Sequence, residues 1–147
     1  MTSLNSAPRP ALVLGLAGAL PFVALLVTAL AGPPELHTTA LLALLQYAAL
    51  ISTFVGALHW AWAASNTAAP TGAALRYGWS VLPSLLAWLS LQLSLSNGLR
   101  LQAAVLVACL FADRWLLGPD GMPDWLRALR RVLTVIAAGS VAVASGS

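Results

Sequence analysis

The chain has 147 residues, of which 60% are hydrophobic and only 7% are charged, and its mean hydropathy is +0.88. An average soluble domain carries about 25% charged residues, so this composition excludes an ordinary soluble fold and indicates that lipid solvates much of the chain. The net charge of +3 comes from seven basic residues, all of them arginine. Most lie beside apolar segments, which is typical of membrane topology signals and excludes a nucleic-acid-binding stripe on a polar domain.

Five apolar segments follow one another along the chain, and a spanning helix needs about 20 largely apolar residues. The predicted spans are residues 11–31, 39–63, 75–95, 99–117 and 129–143, of which the fifth is the shortest. Turn-forming residues separate them. We expect breaks at Gly32-Pro33-Pro34, at residues 65–72, at Ser96-Asn97-Gly98 and at residues 118–121, with a short amphipathic piece from Met122 onward.

The predicted fold is an all-α membrane protein, a bundle of about five transmembrane helices. Residues 1–10 are predicted to be a flexible N-terminal segment, and residues 11–147 a single five-helix transmembrane domain. With the N-terminus inside, six of the seven arginines lie on the inner side and only Arg100 lies outside. This bias predicts an inside N-terminus and an outside C-terminus. An alternative is a secretory signal that ends at residues 29–31, but the apolar run is longer than the 7–15 residues or so of such signals.

The predicted topology brings most of the polar and aromatic side chains to the inner end of the bundle. The candidate functional cluster there comprises His59, Trp60, Arg76, Tyr77, Trp79, Pro83, Asp113, Arg127 and Arg130. Anchoring in the headgroup region is a sufficient explanation for most of the tryptophans and arginines. His59 and Asp113 differ, because each lies within an apolar run, and ionisable groups inside spans usually face a partner.

We expect His59 to face the bundle interior, because Ser52 and Gly56 share its helical face and allow another helix to approach closely. Asp113 is the predicted acceptor for an imidazole N–H, and Arg76 is predicted to keep that carboxylate ionised. The competing interpretation is that the histidine and the aspartate lie among the headgroups without protein partners.

The sequence predicts no metal, no cofactor and no enzymatic activity. An axial haem ligand at His59 is a weak alternative, because the other histidine, His37, is predicted to lie near the opposite face. Cys109 is the only cysteine and is expected to be a small buried apolar side chain. Pro83 is predicted to kink the third helix near Trp79.

Four stretches resemble a known family. They are residues 14–22, 56–60, 76–88 and 126–134. Together they are similar to the bacterial integral membrane proteins of domain of unknown function 3429, to which the eukaryotic transmembrane protein 69 is related. The resemblance covers most of the chain and implies a five-helix inner-membrane protein. It implies no reaction, substrate or cofactor.

Two classes of function remain. The first is an accessory or assembly protein that binds other membrane proteins, respiratory complexes among them, or associates with itself. The second is a small-molecule or ion transporter or binder, with its site at the inner ends of helices two to four. Five helices are few for a transport pathway, and no internal repeat is evident. We therefore favour an accessory protein in the lipid bilayer of a bacterial inner membrane.

Overall fold

The computed structural model describes residues 6–65, 73–117 and 122–147, and these residues form five α-helices without any strand. The helices are α1 (Arg9–Ala31), α2 (His37–Ser65), α3 (Ala73–Ser90), α4 (Leu95–Leu117) and α5 (Asp124–Ala144). A short 3-10 helix, Pro34–Leu36, joins α1 to α2. The predicted all-α fold is therefore confirmed for this part of the chain. The predictions for residues 1–5, 66–72 and 118–121 lie outside the described residues.

Three helical segments of the described residues are long and apolar enough to cross a membrane. They are Arg9–Ala31, Pro34–Ser65 and Leu95–Leu117. The third helix, α3, has only 18 residues. The fifth helix, α5, has 21 residues but carries four charged residues among its first eight. Composition and length alone therefore identify three of the five predicted spans.

The predicted turn at Ser96-Asn97-Gly98 is wrong, because all three residues lie inside α4. The chain turns earlier, where the N–H groups of Leu91 and Gln92 donate to carbonyls near the end of α3. Gly98 serves close packing instead of a turn. A Cβ atom at this position would lie 2.5 Å from the Ser90 carbonyl oxygen.

Two helix starts also differ from the predicted ones. The first helix begins at Arg9, so the last residues of the predicted flexible segment are already helical. The predicted amphipathic piece and the fifth span form one continuous helix that begins at Asp124. Pro123 precedes this helix, and its carbonyl accepts the N–H groups of Leu126 and Arg127. The charged first turns of α5 are therefore rigidly continuous with its apolar part.

The five helices form a closed ring in which each helix contacts its neighbours in sequence and α1 also contacts α5. The second helix contacts all four others. Hydrogen bonds between helices fix the antiparallel arrangement. Tyr47 of α2 donates to the carbonyl of Gly18 in α1 at 2.8 Å, and Ser96 of α4 donates to the carbonyl of Ser145 at 2.6 Å.

This arrangement gathers six arginines at one end of the bundle, which we call the arginine-rich end. They are Arg9, Arg76, Arg114, Arg127, Arg130 and Arg131. The outer surface between the two ends is apolar on every helix. A large apolar side chain is at least 64% exposed on each of them: Leu14, Leu50, Trp88, Phe111 and Val135. Lipid is the solvent that suits such a surface.

Candidate functional site

His59 of α2 and Asp113 of α4 are in direct contact inside the bundle, at its arginine-rich end. The imidazole Nε2 lies 3.0 Å from Oδ1 of the carboxylate, and the histidine is only 1% exposed. The predicted inward orientation of His59 and its contact with Asp113 are both confirmed. The alternative, in which both residues lie among the headgroups without partners, is wrong.

Arg130 of α5 supplies the positive charge beside Asp113. Its Nε donates to Oδ2 of the carboxylate at 2.7 Å, and its Nη2 donates to the same oxygen. The prediction that Arg76 fills this role is wrong. Arg76 lies in the first turn of α3, and its Nε donates to the carbonyl of Leu116 at 3.2 Å. Arg130 reaches further inward because the continuous α5 places it two turns beyond the helix start.

The buried cluster of His59, Asp113 and Arg130 joins three helices. Carboxylate oxygens accept hydrogen bonds, so opposite Oδ1 of Asp113 the Nε2 atom of His59 is the donor. The second ring nitrogen, Nδ1, is buried and has no partner among the described residues. In a neutral ring with its proton on Nε2, Nδ1 is therefore an available hydrogen-bond acceptor. In a protonated ring, Nδ1 would be a donor.

A second buried polar network lies further from the arginine-rich end, and it was not predicted from the sequence. The Gln102 side chain accepts from Ser52 Oγ at 2.6 Å and donates to Ser90 Oγ at 2.7 Å. All three residues are fully buried, and they connect α2, α3 and α4. The available signal was a lone glutamine within the apolar run of the fourth predicted span.

An apolar layer separates the two polar networks. Val55 lies between the polar residues of α2, while Val105 and Cys109 lie between those of α4, and these three side chains form one buried cluster. Trp79 packs against the same cluster, and its indole N–H is buried without a partner among the described residues. The prediction that Cys109 is a buried apolar side chain is confirmed.

Close contact between α2 and α3 holds the site together at Gly56 and Pro83. A Cβ atom on Gly56 would lie 2.8 Å from Pro83 Cγ and 3.2 Å from the carbonyl oxygen of Ser80. The expected close approach of another helix along this small-residue face of α2 is confirmed. The third helix continues through Pro83 to Ser90, and the kink at that proline stays a prediction.

The remaining members of the predicted cluster are exposed or half-buried at the periphery of the bundle: Trp60, Tyr77 and Arg127. Trp60 is 54% exposed, and its ring contacts Tyr77 edge-to-face with centroids 4.9 Å apart. Arg127 pairs with the exposed carboxylate of Asp124. These positions agree with headgroup anchoring. Of the predicted cluster, the structure brings His59, Asp113 and Arg130 into one contact network.

Comparison with known proteins agrees with the helical membrane architecture. Transmembrane protein 69 of Xenopus tropicalis is 37% identical over 147 residues, which covers 95% of this chain and 54% of that protein. The chain thus spans about half the length of this curated relative. No solved structure matches the chain. The model of a family described as protein of unknown function (DUF3429) matches residues 7–145. The chain therefore belongs to the DUF3429 family of membrane proteins, whose function is not established.

Proposed function

We propose that this protein is a five-span accessory or assembly protein of a bacterial inner membrane, which acts by binding another membrane protein and catalyses no reaction. The arginine-rich end and the N-terminus lie inside, and the C-terminus lies outside. The observation that carries this proposal is the apolar layer between the two polar networks, because it favours a structural role for both of them.

A transport pathway needs polar groups that line a route through the bilayer. Here the buried side chains of Ser52, Ser90 and Gln102 bond one another, and Val55 and Val105 lie between them and the charged cluster. No continuous polar route is evident across residues 6–65, 73–117 and 122–147. Both networks instead join helices, as interhelical hydrogen bonds do in other membrane bundles.

The lipid-facing side of α4 and α5 offers a surface for a partner helix. An open apolar groove runs between these two helices and is lined by small and apolar residues. These include Ala104, Val107, Phe111, Val135, Gly139 and Ala142. A Cβ atom on Gly139 would meet nothing within 4 Å, so this glycine serves no close contact with the described residues. Exposed small residues let a second helix approach closely.

Five spans are supported by the packing of α3 and α5 among the longer helices. At about 1.5 Å per residue, α3 is about 27 Å long and α5 about 32 Å long, against a hydrocarbon core of about 30 Å. The fifth helix packs against α1 and α4, both apolar enough to span, and its end meets the start of α4 through Ser96 and Ser145. Orientation rests on the six arginines at one end.

Photo-crosslinking in native membranes tests the proposal. A photoreactive residue at Val135 or Gly139 is expected to capture one membrane protein, in a constant molar ratio to this chain. Mass spectrometry identifies the captured protein. The control position is Leu14 on α1, which is exposed on a different face. Capture of lipid alone from the α4–α5 groove, or of the same mixture from both faces, would contradict the proposal.

A second candidate function is an ion or small-molecule binder at the inner ends of the helices. The buried Nδ1 of His59 favours it, because this atom has no partner among the described residues. Reconstituted liposomes provide the test. Trp62, half-buried about one turn after His59 on α2, is the control. Proton or cation flux above that of protein-free liposomes, lost in His59→Ala and kept in Trp62→Ala, would support a transporter and contradict the accessory role.

A further inference from the structure

A second groove lies between α3 and α4 and extends to the arginine-rich end. It has a volume of about 700 Å³, and its lining is almost entirely apolar. The main lining residues are Leu75, Trp79, Phe111, Ala112, Arg114 and Trp115. Arg114 is the one charged residue among the lining residues, and it lies within one turn of the end of α4. The groove therefore combines a long apolar floor with a cationic mouth.

None of the described residues neutralises the positive charge at this mouth. Arg114 is exposed and makes no hydrogen bond or ion pair with the described residues. Arg76, nearby at the start of α3, uses its Nε on the carbonyl of Leu116, which leaves its terminal nitrogens available. The two described carboxylates at this end, Asp113 and Asp124, are occupied by other arginines.

We expect the mouth of the groove to lie at the depth of the lipid headgroups. Trp115 is 81% exposed beside Arg114, and tryptophan and arginine together mark the interface between headgroups and hydrocarbon. Further inward, the groove is lined by Ala108 and Phe111 of α4, whose side chains carry no polar atom for a protein ligand to pair with. Trp79 adds a buried indole N–H without a partner among the described residues.

We propose that this groove binds one anionic phospholipid from the leaflet that faces the arginine-rich end. Arg114 and Arg76 hold the lipid phosphate, because guanidinium groups bind phosphate oxygens in pairs. An acyl chain lies along the apolar floor. Basic pockets between transmembrane helices bind anionic headgroups in the same way. This proposal requires only that the protein is inserted in a membrane, so it stands or fails independently of the partner proposed for α4 and α5.

Native mass spectrometry of the purified full chain tests the site. The protein is reconstituted in phosphatidylcholine with increasing phosphatidylglycerol and then released into detergent. One phosphatidylglycerol is expected to stay bound in preference to phosphatidylcholine. An arginine near an anionic headgroup contributes a factor of about five, so Arg114→Gln should lower the affinity about fivefold. Arg114→Gln combined with Arg76→Gln should lower it about 30-fold.

Arg131→Gln is the matched control, because it removes one exposed positive charge at the same end but outside the groove. Binding in this variant should be unchanged. Arg114→Gln alone alters no contact within the described chain, so its effect is interpretable even if Arg76→Gln fails to fold. Equal retention of both lipids, or an equal loss in Arg131→Gln, would overturn the proposal. Capture of protein instead of lipid by a photoreactive residue at Leu75 would also overturn it.

Discussion

Asp113 on α4 and Arg130 on α5 form a buried ion pair, with 9% and 8% of their surfaces exposed. The carboxylate also accepts the Nε2 proton of His59 on α2, so one acidic group joins three helices. An unpaired charge inside a membrane bundle is unfavourable, so each charge of this pair needs the other for the bundle to be stable. The pair fixes how α4 and α5 sit against the central helix.

We predict that Arg130→Met destabilises the bundle by about 3–5 kcal/mol, because it leaves Asp113 buried with its charge uncompensated. Adding Asp113→Asn should recover most of this loss, since no carboxylate charge then remains buried without its partner. The free energy of unfolding is measured by titration with a denaturing detergent, followed by tryptophan fluorescence. Arg131→Met, at an exposed position, is the control and should change little. A double variant less stable than Arg130→Met would show that the ion pair is not the source of the effect.

The contact between Gly56 and Pro83 gives a second prediction. Gly56→Ala places a methyl group 2.8 Å from the proline ring, which cannot move aside as the end of a flexible chain could. Overpacking of this kind destabilises a core by about 1–3 kcal/mol. Gly78→Ala and Gly139→Ala are matched controls within helices, because a Cβ atom at either position meets nothing within 4 Å. These controls should be neutral or slightly stabilising, since alanine favours the helix. Equal effects at all three glycines would contradict this explanation.

Apolar runs and small-residue spacing were enough to predict the helical bundle and the inward face of α2. The seven-residue spacing from Ser52 to His59 places both on one face of a helix, and both are buried in the structure. The partner Asp113 followed from depth, because few polar groups occur at that level of the bundle.

Helix boundaries and pair assignments depended on contacts that sequence does not show. Glycine is common in turns, but Gly98 lies inside α4. Its missing side chain allows α4 to approach the end of α3 closely. The pairing of Arg130 with Asp113 depends on how α5 packs against α4, which the sequence alone does not indicate. Gln102 finds its partners only through the packing of α2 and α3 against α4.

The network at Gln102 is expected to contribute modestly to stability. Gln102→Leu keeps the volume of the side chain, and both serine hydroxyls still reach carbonyls of their own helices, at Ala48 and Ala87. The loss should therefore be about 0.6–1.7 kcal/mol, which runs from the average to the largest value for interhelical hydrogen bonds in membrane bundles. Gln102→Ala should be more destabilising because it also leaves a cavity. Equal losses in the two variants, in the same detergent titration, would show that volume contributes nothing here.

Membrane topology provides the last prediction. In a Cys109→Ala background, single cysteines are introduced at the exposed residues Ser65, Asp124, Glu35 and Ser147. Glu35 is chosen over Gly32, where a Cβ atom would lie 2.4 Å from a backbone oxygen. A membrane-impermeant maleimide should label the first two from the inside and the last two from the outside.

The labelling pattern tests the number of spans and the orientation of the bundle independently. Ser96 bonds the carbonyl of Ser145, so the end of α5 lies beside the start of α4. Ser147 and Glu35 should therefore share one side of the membrane whichever way the bundle is inserted. Reversal of all four positions would contradict only the orientation inferred from the arginines. Labelling of Ser147 from the same side as Asp124 would instead show that α5 does not cross the bilayer, and five spans would be wrong.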